Sequence, residues 1–97
     1  MIFDYRVDGC TIDDGDKSLI EGKLEKLVRF DNRVADESVK VHVEVVRGTR
    51  HHSPNYGLRV QLTIPGSSLR AEASGKKIAD ALDEVERKLK VQIEKLK

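Results

Sequence analysis

The stretch from Lys76 to Lys97 constrains the fold most tightly, because Ile78, Leu82, Val85, Leu89, Ile93 and Leu96 recur at steps of three and four. At about 100° per residue they fall on one narrow stripe, as in a helix with a single apolar side. Such a stripe needs a sheet to cover it. Lys77, Lys88 and Lys95 line one flank of the same helix with Glu84 among them, and Lys90 and Lys97 share the other. The stripe reads as fold and the basic flank as candidate function.

Alternating runs supply the cover. Val39, Val41, Val43 and Val45 alternate with Lys40, His42 and Glu44, and Leu58, Val60, Leu62 and Ile64 alternate with Arg59, Gln61 and Thr63. Both have the period of two that places one strand face inside and the other in water. Leu69, Ala71 and Ala73 form a third such run, joined to the second by the turn residues Pro65 and Gly66. At the start of the chain, Phe3, Tyr5 and Val7 share one strand face, and Asp8-Gly9 is a turn signal.

A first helix is predicted from a point between Asp13 and Ser18 to about Phe30, burying Ile20, Leu24, Leu27 and Val28. Asp13, Asp14 and Asp16 offer cap oxygens at its start, and Ser18 with Glu21 is a possible capping box. Lys23, Lys26, Arg29 and Arg33 gather on the flank beside the apolar face. The expected fold is α+β in the order β-α-β-β-β-α, a single domain over residues 1–97 with two helices packed on one face of a four-stranded sheet. A helix between the first two strands permits a parallel pair, and the short Pro65-Gly66 link implies an antiparallel one.

Charge matters through its distribution. The chain is 36% charged yet its net charge is only +1, and residues 1–16 hold Arg6 against Asp4, Asp8, Asp13, Asp14 and Asp16, which leaves +5 for the remainder. The basic surplus is regional. Cys10 is alone, so no internal disulfide forms, and it reads as a small buried hydrophobe rather than a reactive thiol. No signal peptide or membrane-length apolar run is seen, so a cytoplasmic protein without membrane attachment is expected.

Chemistry is hard to find in these residues. The acids near Asp13 lack the spacing and closing Glu of a calcium loop, and His51-His52 lacks the further ligands a zinc site needs. No cofactor or metal is expected. No phosphate loop, nucleophile elbow or acid/base pair appears, and His42 on an open strand face has no pocket, so no enzyme is expected. The connection from Arg47 to Tyr56 carries Arg47, Arg50, His51 and His52 and reads either as a cationic loop touching phosphate or as a solvated hairpin loop.

Three stretches together resemble one known family. They are Lys23-Leu24-Glu25-Lys26-Leu27-Val28-Arg29-Phe30 followed by Asn32-Arg33-Val34, the run from Gly66 to Gly75, and Lys88-Leu89 with Gln92, Lys95 and Lys97. In order and spacing they are similar to the ribosome hibernation-promoting factor and ribosome-associated inhibitor family, also called the sigma-54 modulation protein family. The resemblance implies a β-α-β-β-β-α domain that binds the small ribosomal subunit in the channel used by messenger and transfer RNA. It implies that ribosomal RNA is clamped by basic helix flanks, stopping translation in starved or stationary cells. Carried onto this chain, the family's first-helix lysines fall on Lys23 and Lys26, its following basic residue on Arg33, and its last-helix basic positions on Lys88, Lys95 and Lys97, while Arg29 and Lys77 join the candidate RNA-binding flanks on their spacing alone.

The chain departs from the family pattern at Lys77-Ile78-Ala79, where an acid-Met-Tyr run is usual, at Val91 in place of Arg, at Asp16 in place of an apolar residue, and in a longer loop at 47–56. It most resembles the short hibernation-promoting type, without the C-terminal dimerisation domain of long members. Such a protein is expected to be monomeric off the ribosome and to need a separate factor to pair ribosomes. Two other classes stay open on the residues alone. One is a stand-alone module for other structured RNA, and the other is a small protein-interaction domain whose charged helix faces are merely solvated.

Overall fold

The computed structural model describes residues 2–28, 39–48, 55–64 and 66–95. The elements run β1 (Ile2–Asp8), α1 (Asp14–Val28), β2 (Lys40–Gly48), β3 (Asn55–Ile64), β4 (Ser67–Gly75) and α2 (Ile78–Lys95). The four strands form one sheet in the order β1-β2-β3-β4. β1 pairs parallel with β2, and the other two pairs are antiparallel. The expected element order and pairings therefore hold.

Alternation decides which sheet face is covered. Val41, Val43 and Val45 of β2 stand beside Leu62, Val60 and Leu58 of β3, and Leu69 and Ala71 of β4 continue the rows. Ile20, Leu24 and Leu27 of α1 and Ile78, Leu82, Val85, Leu89 and Ile93 of α2 close over them into one buried cluster. Removing this much aliphatic surface from water is the main source of stability, at about 1.5–3 kcal/mol for each fully buried large side chain.

The opposite face stays open and polar, with Asp4, Lys40, His42, Arg59, Arg70 and Glu72 exposed on it. β1 and β4 run the same way, and each is followed by a helix that returns along the sheet. The two helices are therefore parallel, and both C-termini lie at the end of the sheet where β1 and β2 begin.

Local chemistry refines three boundaries. α1 starts at Asp14 because Asp13 caps it: the Asp16 amide donates to Asp13 Oδ1 at 2.8 Å and the Asp13 amide donates to Asp16 Oδ2 at 3.2 Å. This reciprocal pair is the capping box, rather than Ser18 with Glu21, and it assigns Asp13 and Asp16 to helix initiation. α2 starts at Ile78, two residues later than Lys76, and Gly75 permits that start because a Cβ there would lie 2.9 Å from Asp80 Cβ.

The third change concerns the long connection. Arg47 pairs with Tyr56 and Gly48 with Asn55, so Arg47 and Tyr56, the ends of the expected loop, belong to the ladder. Backbone pairing continues regardless of side-chain polarity, which is why alternation misses these residues.

Candidate nucleic-acid interface

The side chains that could meet a polyanion sort by whether an acid already holds them. Lys23 projects from α1 towards α2 and forms an ion pair with Asp83. The hydrogen bond from its ammonium to Asp83 raises the Lys23 pKa, with the nearby Asp83 and Glu86 charges acting the same way against partial desolvation. This bridge ties the two helices across their seam.

Lys88 is held on the far side of α2. Its ammonium lies 3.8 Å from Glu84 one turn earlier and donates to the Glu72 carbonyl oxygen of β4 at 2.8 Å. Gln92 continues the same flank, donating to the Arg70 carbonyl at 2.6 Å and accepting from the Arg70 amide at 3.2 Å. The flank containing Lys88 therefore overhangs the β4 edge, whereas the flank containing Lys23 faces the helix seam. The two basic flanks point to different sides of the helix layer.

Several other cations on this layer remain available. Lys26, Lys77, Arg87 and Lys95 are exposed and have no acidic partner within ion-pair distance among the described residues. Lys26 and Lys95 occupy the last turns of α1 and α2, at the same end of the molecule. Positive side chains there also interact favourably with the negative ends of the helix dipoles. Lys77 immediately precedes α2 at the opposite end.

Spacing in the sequence does not single out Arg87. An i,i+4 pair with Asp83 is the default expectation for it. Asp83 is instead taken by Lys23, sixty residues away in sequence, and Arg87 is left without an acid among the described residues.

Arg47 is exposed at the end of β2, with its guanidinium over the Tyr56 ring. Arg29, Arg33, Arg50, His51, His52 and Lys97 lie outside the described residues.

Taken whole, neither helix is basic. α1 carries four carboxylates against three lysines, and α2 five against four basic side chains. The open sheet face is cross-paired, with Arg59 3.0 Å from Glu72 and 4.0 Å from Glu44, and His42 Nδ1 3.1 Å from Asp4. A depression of about 420 Å³ on that face lies over Gly57, between Val46 and Ser74, and is shaped by the missing side chain at Gly57. Any attraction for a polyanion therefore comes from where the unpaired cations stand, not from net charge. Among the described residues, no helix is long and apolar enough to cross a membrane.

The arrangement is that of a small α+β domain with one helix-covered sheet face, and the same fold is seen in solved structures. The N-terminal domain of Thermus thermophilus Protein Y superposes with a TM-score of 0.80 at 19% identity, covering 100% of both chains. A ribosomal subunit interface protein from Coxiella burnetii gives 0.81 at 19% identity, over 99% of this chain and 97% of that one. No curated protein matches the sequence significantly.

The sequence matches the family described as sigma 54 modulation protein / S30EA ribosomal protein over residues 3–97, and the chain belongs to that family. It is a ribosome-binding protein of the hibernation and translation-control class, and that class is not enzymatic.

Proposed function

We propose that this chain holds ribosomal RNA of the small subunit, in the channel used by messenger and transfer RNA, and so keeps idle ribosomes from translating. The sorting of the helix cations carries this reading. Lys26, Lys77, Arg87 and Lys95 are exposed and lack acidic partners among the described residues, so their charge is available to phosphate oxygens. Lys23 and Lys88 contribute only by giving up Asp83 and Glu84, an exchange that costs about 0–1 kcal/mol for each exposed pair. Arg29, Arg33 and Lys97 follow the two helices in sequence and carry further positive charge. Contacts of this kind read the shape of folded RNA and weaken with salt. The place of action is then the cytoplasm.

Sucrose-gradient sedimentation of the protein with purified subunits and whole ribosomes tests the reading. The expected result is co-migration with small subunits and with whole ribosomes at low salt, lost as salt rises. Protein remaining at the top of the gradient at low salt would overturn it.

A further inference from the structure

Arg47 and Tyr56 are direct cross-strand partners near the end of the β2–β3 ladder. Arg47 continues the β2 face that buries Val41, Val43 and Val45, yet it is exposed. Its guanidinium carbon lies 5.1 Å from the Tyr56 ring centroid, within cation–π range. Tyr56 is half-buried and packs against the core, so the ring is fixed from below and the guanidinium forms its outer layer.

The backbone under this stack is also fixed. Gly9 adopts a φ of 75°, and a Cβ there would run into the Arg47 carbonyl oxygen, so the turn after β1 closes directly against Arg47. No carboxylate of the described residues lies within ion-pair distance of the guanidinium. Arg59 on the open sheet face is the contrasting case, since Glu44 and Glu72 flank it and use its charge. The stack thus presents a planar, uncompensated cation on a rigid aromatic base, at the start of a connection whose sequence adds Arg50, His51 and His52.

We infer that the Arg47–Tyr56 stack is a docking site for an unstacked RNA base, the guanidinium plane taking the base and its charge the adjoining phosphate. Exposed bases in single-stranded segments are held in this way on aromatic and arginine planes, and the contact tolerates any base because each has a π face. The inference rests on the proposal that RNA is the partner. It adds a contact to single-stranded RNA that is separate from the helix cations.

The test uses the full chain and a short single-stranded oligoribonucleotide carrying one fluorescent adenine analogue, whose emission is quenched on stacking. Wild type is expected to quench it. Arg47→Lys, which keeps the charge and loses the plane, is expected to bind about tenfold more weakly without quenching. Tyr56→Phe keeps the ring and is expected to behave as wild type. Absence of quenching by wild type, or wild-type affinity and quenching in Arg47→Lys, would overturn the site. Arg47→Lys changes an exposed side chain and leaves the core intact, so its result does not depend on folding. Sedimentation separates this failure from failure of the ribosomal reading. Wild type that rides with ribosomes but leaves the probe unquenched overturns the stack alone. Wild type that quenches the probe but stays off ribosomes supports the stack and overturns the ribosomal reading.

Discussion

Tyr5 donates its hydroxyl proton to Glu21 Oε2 at 2.7 Å, and Lys17 lies 5.5 Å from its ring centroid. The group joins the edge strand β1 to α1. Burial pushes the phenol pKa up, and the hydrogen bond to Glu21 and its negative charge push it further. A phenol raised in the folded state keeps its proton longer there than in the unfolded chain, whose tyrosines titrate near pH 10. The folded form therefore holds more protons above that pH, and stability contributed by this group falls as pH rises. Denaturant midpoints of wild type and Tyr5→Phe across the alkaline range check this. Wild type is expected to lose stability above about pH 10, and Tyr5→Phe is expected to lose that part of the slope while giving up about 0.5–1.5 kcal/mol near neutrality. Equal slopes would mean that the Glu21 contact is not maintained in solution. None of this was legible beforehand, since the alternation of Phe3, Tyr5 and Val7 places the ring but does not name Glu21 as its partner.

Elements were legible wherever periodicity and burial coincide. The valines of β2 and Ile78, Leu82, Val85, Leu89 and Ile93 of α2 are buried where alternation and the helical step put them, and Leu96, the last of the expected stripe, lies outside the described residues. Boundaries were less legible, for two reasons. Asp13 with Asp16 and Ser18 with Glu21 have the same three-residue spacing, and only the folded backbone selects the first pair as the cap. Arg47 and Tyr56 look like loop because no apolar residue marks the covered face beyond Val45, although the ladder continues through them.

The β4 edge holds a device that no local pattern reveals. Gln92 presents its carboxamide to the outward amide and carbonyl of Arg70, as a neighbouring peptide group would, and Lys88 occupies the outward carbonyl of Glu72. An edge strand occupied at these central groups is a poorer template for another chain. Gln92→Leu removes two of these bonds from a solvent-accessible site, where water replaces them in part, at an expected cost of about 1 kcal/mol. Light scattering coupled to size exclusion should show self-association that grows with concentration in the variant but not in wild type. If the variant stays a single species at every concentration, the clasp does not protect the edge.

For the molecule as a whole, charge placement links fold to function. The sheet sets α1 and α2 parallel over one face, so Lys26 and Lys95 arrive at the same end. The helix seam consumes Lys23 with Asp83, and the β4 edge consumes Lys88. Sequence spacing could gather the lysines onto flanks. It could not tell which of them tertiary contacts would occupy, because Lys23 and Asp83 meet only once both helices lie on the sheet. Arg87 is left without Asp83 by that same contact, which no spacing in the sequence reveals.

The salt dependence of ribosomal RNA binding, measured for two sets of alanine substitutions, tests the central claim most directly. Replacing Lys26, Arg87 and Lys95 is expected to weaken binding and to flatten the slope of log affinity against log salt by about one for each cation removed. Replacing Lys23 and Lys88 is expected to change that slope much less, because in the free protein both already neutralise acids of their own. Equal loss of slope in the two sets, or an unchanged slope in the first, would contradict the account.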